Sequence, residues 1–229
     1  GIPVFHDDQH GTAIAVLAGV MNSLLVTGRK IEDTKFVFAG AGAGGIASTK
    51  LLMEQGATHV TLVDSTGIIH KDRSDLTAVK SAMLETTNPD NTQGGMAEAM
   101  RGADVFIGLS AADAVTAEMV SSMAKDSIVF AMANPIPEIW PDEARAAGAS
   151  VVGTGRSDFP NQINNSLVFP GVFRGALDSH STRVTTRMKL AAANALAALI
   201  AEPTPEIIIP WSLDKQVAQT VAKAVSDAA

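Results

Sequence analysis

Residues 36–45 read Phe-Val-Phe-Ala-Gly-Ala-Gly-Ala-Gly-Gly. Phe36 to Ala39 form a short apolar β run, and Gly40, Gly42 and Gly45 after it have the spacing of a Gly-x-Gly-x-x-Gly turn. A helix is expected next, from about Ile46 to Gln55, stopped by Gly56. A second strand, His59 to Val63, then ends at Asp64, 19 residues beyond Gly45. The first glycine permits a tight turn, the second lets a pyrophosphate approach the backbone, and the third lets helix and strand pack closely. The helix start offers free amides and a partial positive charge to the phosphates. Taken alone the pattern is weak, and a structural glycine turn is its plain alternative. Here strand, helix, second strand and acidic residue all stand where dinucleotide binding requires them. Asp64 is placed to hold the adenosine ribose hydroxyls, which by the general rule favours NAD over NADP. His70, Lys71 and Arg73 follow it and read either as contacts for a 2′-phosphate or as a solvated basic patch.

Outward from this unit, strands are expected at Asp104 to Ile107, Ser127 to Ala131 and Ser150 to Val152. Helices are expected at Leu76 to Leu84, Met96 to Met100, Thr116 to Met123 and Pro141 to Ala147, with a loop over Thr86 to Gly95. Alternating strands and helices of these lengths imply a parallel, doubly wound sheet with its core at about residues 30–155. An apolar helix, Gly11 to Val26, precedes it, and helices at Phe169 to Leu177, Arg183 to Ile200 and Asp214 to Ala228 follow. The expected class is α/β, Rossmann-like, with an added N-terminal helix and C-terminal helices, over residues 1–229.

Composition narrows the chemistry. The chain is 46% hydrophobic and 18% charged, with a net charge of −7. That balance argues against nucleic acid or an anionic membrane surface as partner. There is no cysteine, so disulfide and thiolate-metal chemistry are excluded. The apolar stretches Thr12 to Val26 and Leu190 to Ala201 are interrupted by Asn22 and Asn194 and fall short of the roughly 18 residues of a membrane span. They read as buried helices, and a cytoplasmic location is expected.

Two further groups of residues carry chemistry. Asp7 and Asp8 stand ahead of the first helix as hard oxygen donors suited to Mg²⁺ or Mn²⁺, or as helix N-caps. His6 and His10 have i, i+4 spacing, but a zinc site there would need helix between Pro3 and Gly11, and both read as structural. Asn134, Asn161, Gln162, Asn164 and Asn165 offer paired donors and acceptors, suited to a small dicarboxylate and a nicotinamide carboxamide, or to ordinary turn chemistry.

The run Gly1 to Gly19, GIPVFHDDQHGTAIAVLAG, closely resembles the signature of the malic enzymes. Ala133-Asn134-Pro135 and the run Gly153 to Asn165 are similar to that family's substrate-side motifs, and Gly108-Leu109-Ser110 to a loop that passes the cofactor. The similarity extends from Ile2 through the final helix; Ile209-Pro210-Trp211-Ser212-Leu213-Asp214 departs from the usual Pro-Ser-Pro-Phe-Asp, and Gly44 stands where many relatives carry alanine. The resemblance implies oxidative decarboxylation of malate to pyruvate with NAD or NADP and a divalent metal. It implies that Asp8 ligates Mg²⁺ or Mn²⁺ and that Asp7 influences the general base. By the same resemblance Asn134 and Asn165 contact substrate and nicotinamide, and Gly40, Gly42, Gly45, Asp64, Ser110 and Asn134 hold the cofactor. Because the aspartate matching Asp64 also occurs in NADP users of the family, the choice of dinucleotide stays open. The resemblance further implies an N-terminal domain that this chain lacks, carrying a Glu-Asp pair of metal ligands, a tyrosine acid and a lysine base. The chain contains no tyrosine at all. It is therefore expected to bind a dinucleotide without turning over alone, and the full enzyme is expected to be a homo-oligomer. Other readings are a non-catalytic dinucleotide-binding module, a malolactic-type enzyme, and another NAD-dependent 2-hydroxyacid or amino acid dehydrogenase. The last leaves Asp7 and Asp8 unexplained.

Overall fold

The alternation of side chains along β1 (Lys35–Ala39) creates two cores. Phe36 and Phe38 enter one buried cluster, while Val37 and Ala39 enter the other. Successive strand residues point to opposite faces, and a strand buried on both reads as a continuous apolar run. A computed structural model describes residues 2–229; Gly1, where the resembling run begins, lies outside the described residues.

Five strands are parallel: β1, β2 (His59–Asp64), β4 (Val105–Gly108), β5 (Ile128–Ala131) and β6 (Val151–Thr154). The sheet order is β3-β2-β1-β4-β5-β6, with Phe36 paired to Val60 on one side and Val105 on the other. The winding reverses between β1 and β4, where an open α/β sheet forms its ligand crevice. The expected parallel, doubly wound sheet is present, and one further short strand, β3 (Gly67–Ile68), turns back antiparallel on Val63 and Asp64. A two-residue strand has no periodicity to read. Its turn rests on Gly67, whose φ of 128° suits glycine.

On one face lie α1 (Thr12–Thr27), α2 (Ala43–Glu54), α3 (Ala78–Met83), α7 (Phe169–Asp178), α8 (Thr186–Ala198) and α9 (Lys215–Asp227). On the other lie α4 (Met96–Met100), α5 (Ala117–Ser121) and α6 (Pro141–Ala146). Phe36, Phe38, Phe106 and Phe130 are all fully buried, each worth roughly 1.5–3 kcal/mol of transfer free energy.

The first helix is longer than expected. A π-helical turn, Asp7–Gly11, runs straight into α1, so the helix spans Asp7–Thr27. By length and composition it could cross a membrane, against the expectation that it is too short. Ile14, Val16, Leu17 and Val20 are nevertheless fully buried against the sheet, which makes it a core helix. Asn22, the polar break in the apolar stretch, is buried too; its Nδ2 donates to the carbonyls of Ala197 (3.0 Å) and Ile208 (2.8 Å). It pegs the C-terminal segment to α1.

Candidate functional site

The three glycines of the loop sit in different surroundings. Gly40 has φ 105°, and a Cβ there would collide with the Leu109 carbonyl. A Cβ on Gly45 would collide with the carbonyl of Gly40, so loop and helix close only because both lack side chains. Gly42 is different: its φ is −86°, in the extended region, and nothing lies within 4 Å of a Cβ built there. The loop thus leaves free space at its second glycine. α2 opens at Ala43, and the first amide bonded back to the loop is Ile46 N–H to Gly42 O (3.0 Å). The amides of Ala43, Gly44 and Gly45 precede that bond, as the orphan donors of a helix start do.

Asp64 ends β2 with its side chain only 7% exposed. Arg73 grips it with two nitrogens (2.8 and 3.2 Å), Lys80 Nζ donates at 2.6 Å, and the Thr66 amide at 2.9 Å. Burial alone would raise this carboxyl; the hydrogen bonds from Arg73 and Lys80, then Thr66, outweigh it and hold its pKa at about 2. Arg73 also donates to Asp75 (2.8 and 2.6 Å) and is itself only 9% exposed. This corrects the solvated-patch reading for Arg73. Lys80, which the sequence did not single out, takes a place beside it.

A stability prediction follows. The Asp64 pKa is depressed below its ordinary 3.8, so the stabilisation is present above about pH 4 and is lost as pH falls through about 2. Arg73→Met should cost roughly 2 kcal/mol at neutral pH. Thermal melts of both proteins across the acid range should show that deficit shrinking as the pH approaches 2. A deficit independent of pH would remove Asp64 as its source.

The π-helical turn places the aspartates. Asn165, at the start of a 3₁₀ turn (Asn165–Leu167), donates from Nδ2 to Asp7 Oδ2 (2.7 Å) and to Asp8 Oδ1 (3.3 Å). Asp7 Oδ1 is buried with no hydrogen-bond partner, tucked where a side chain on Gly11 would collide with it. Burial raises the Asp7 pKa, and the Asp8 charge raises it further against an opposing effect of His6. The first turn shows no side-chain cap hydrogen bond, so the N-cap reading of this pair fails. Asp8 is exposed, and its carbonyl lies 3.1 Å from where a Cβ on Gly44 would sit. The aspartate turn therefore abuts the glycine loop, and glycine at 44 eases that approach. The donors are all oxygen and one buried lone pair is unanswered, which fits a hard divalent cation. No group of three metal-capable side chains occurs among the described residues, so this pair offers part of a ligand set. His10 turns its Nδ1 to the amide of His6 (3.2 Å) and its ring to Phe5, as a structural histidine does. Helix begins at Asp7, so His6 stands outside it and His10 within it.

With this geometry in place, the comparisons with known proteins are decisive. Residues 9–229 match the family model described as malic enzyme, NAD binding domain. The chain belongs to the malic enzymes. It is 53% identical over its full length to the bifunctional malic/malolactic enzyme of Bacillus subtilis, covering 56% of that protein. It is 49% identical to the NAD-dependent malic enzyme of Geobacillus stearothermophilus and 45% identical to the NADP-dependent one of Halomonas elongata, covering 48% and 58% of them. The crystal structure of the Thermotoga maritima NAD-dependent malic enzyme superposes with a TM-score of 0.96 at 43% identity, all of this chain matching 60% of that one. The chain thus spans about half the length of the curated relatives it matches.

In this malic enzyme domain the amide cluster of the sequence reading divides. Asn161 is a buried peg, donating to the carbonyls of Val152 (3.0 Å) and Pro205 (2.8 Å) and accepting from Ile208 N–H. Gln162 accepts from Ser212, and Asn164 caps the 3₁₀ turn through the Ser166 amide. These three do turn and packing work, and Asn165 alone reaches the aspartates. Asn134 and Ser110 are exposed beyond the ends of β5 and β4. Arg156 braces the first of these loops: it donates to the Pro135 carbonyl, pairs with Asp158 at 2.7 Å and stacks over Trp140 at 5.3 Å. Its position inside Gly153-Thr154-Gly155-Arg156 was the only signal that could have marked it.

Proposed function

We propose that this domain supplies the dinucleotide-binding half of an active site for oxidative decarboxylation of malate to pyruvate and CO₂. The observation that carries the reading is the junction of Asp7, Asp8 and Asn165 against the glycine loop at Gly44. A bound nicotinamide dinucleotide would supply a hydride acceptor for malate C2, and a bound Mg²⁺ or Mn²⁺ would supply a Lewis acid for the carbonyl oxygen. The exposed Asp8 carboxylate offers one ligand to the metal. Asn165, its nitrogen engaged by both aspartates, keeps its carbonyl oxygen as an acceptor for the substrate hydroxyl. Asn134 offers a donor and an acceptor to a carboxylate or a carboxamide. Gly42 leaves space for the pyrophosphate. Asp64, held by Arg73 and Lys80, marks the adenosine side, with the choice of dinucleotide left open. No residue here can serve as a tyrosine acid, so proton transfer and the remaining metal ligands are assigned to the rest of a parent enzyme, with homo-oligomeric assembly as a further expectation. The malolactic reading uses the same binding residues and is favoured only by the similarity to the bifunctional malic/malolactic enzyme of Bacillus subtilis.

The test compares the 229-residue chain with its parent enzyme in malate-dependent nucleotide reduction with Mn²⁺. An acid and a base each contribute about 10²- to 10⁴-fold, so the chain alone should be at least ten-thousandfold slower. Turnover by the chain near ~10 s⁻¹, an ordinary enzyme median, would overturn the division of labour. A parent that converts malate without reducing a nucleotide would favour the malolactic reading.

A further inference from the structure

Glu138 has no exposed surface, and its carboxylate is enclosed between the two loops that leave β4 and β5. Its Oε1 accepts from the Ser110 amide (2.8 Å) and from the Ser110 hydroxyl (3.2 Å). Its Oε2 accepts from the Ala133 amide (2.9 Å). The backbone around it pins the first loop again: Val115 N–H donates to the Glu138 carbonyl (3.0 Å), and Asp113 N–H to that of Pro137 (3.1 Å). Space for the carboxylate exists because residue 108 is glycine; a Cβ there would lie 2.6 and 2.7 Å from the two carboxylate oxygens. The grip extends to the nucleotide loop, because the Leu109 carbonyl is what a side chain on Gly40 would strike.

We infer that Glu138 is a positioning residue that locks the Ser110 loop to the Asn134 loop and makes Ser110 an acceptor-only contact for the nicotinamide half of the dinucleotide. This rests on the proposed reading that the dinucleotide lies along the carboxyl ends of the strands, with its pyrophosphate at Gly42. Ser110 owns two donors, its amide and its hydroxyl, and Glu138 engages both. What exposed Ser110 still presents is oxygen lone pairs. They suit a ligand group that donates, such as a ribose hydroxyl or the carboxamide NH₂; Asp64 ends β2 on one side of the Gly40 loop and Ser110 follows β4 on the other, which puts Ser110 on the nicotinamide side. A glutamine at 138 cannot reproduce this. It has one acceptor oxygen, so its NH₂ would face either the Ser110 or the Ala133 N–H, donor against donor.

The test uses the 229-residue chain with two probes, NADH and ADP, the second lacking the nicotinamide and its ribose. Calorimetric titration of Glu138→Gln should show about tenfold weaker NADH binding, the size of one lost hydrogen bond to a charged group, with ADP affinity within about twofold. Ser110→Ala keeps the amide bond to Glu138 and removes only the hydroxyl; it should reproduce the same NADH-selective loss in smaller measure, even if Glu138→Gln fails to fold. Equal losses for NADH and ADP in Ser110→Ala would mean a merely structural role and overturn the inference. If Gly42→Val blocks NADH while both variants bind it as the unsubstituted chain does, the clamp is wrong and the dinucleotide reading stands. If the unsubstituted chain binds no NADH, both fall together.

Discussion

Gly42→Val should weaken NADH and NADPH binding by at least about a hundredfold, the loss of two charge-assisted contacts between backbone amides and the pyrophosphate. It should do so without unfolding the domain. Gly42 has φ −86° and ψ −169°, a conformation valine adopts readily, and its Cβ position is empty of protein to 4 Å. The same substitution at Gly45 would drive a side chain into the Gly40 carbonyl and test folding instead. The melting temperature of Gly42→Val should therefore stay within about 4 °C of the unsubstituted chain, roughly the shift for 1 kcal/mol in a domain of this size. Unchanged affinity in the folded variant would show that the space at Gly42 is not the phosphate site.

Asp8→Asn, made in the parent enzyme, should reduce Mn²⁺-dependent malate turnover at least about a thousandfold, since a Lewis acid supplies several kcal/mol of charge stabilisation and each ~1.4 kcal/mol is tenfold. NADH affinity of the same variant should stay within about threefold. The separation follows from the contacts: Asp8 meets Asn165 through its carboxylate and approaches Gly44 through its backbone carbonyl, which the substitution keeps. Activity against Mn²⁺ concentration and NADH fluorescence form the paired measurement. A variant that loses cofactor affinity as severely as activity would make Asp8 a structural residue of the turn.

Much of this architecture was legible in the chain. Phe36 to Ala39 and Ser127 to Ala131 read as strands because strands covered on both faces are apolar almost throughout. The glycine loop was legible because Gly40 and Gly45 answer local steric demands, while Gly42 leaves open space beside the backbone. The paired aspartates stood out by residue type alone, and the metal role proposed for Asp8 rests on that and on the family resemblance. Local pattern said nothing of β3, whose two residues are too few to repeat. It also read Asp7–Gly11 as a lead-in to the helix, whereas the chain is already helical there, wound wider than an α-helix.

Composition and spacing by themselves determined the doubly wound sheet, the place of the glycine loop and the acid that follows it. These depend on neighbours a few residues apart, so they are written in the order of the chain. The partners of the charged and amide side chains were decided only by the closing of loops beyond the carboxyl ends of the strands. Asn165 meets Asp7 across 158 residues and Glu138 meets Ser110 across 28, while Lys80 reaches back 16 to Asp64. A side chain that can both donate and accept gives no sign in sequence of which partner it will take. Burial removes water as the alternative partner, and the few polar atoms within about 3 Å then settle the choice.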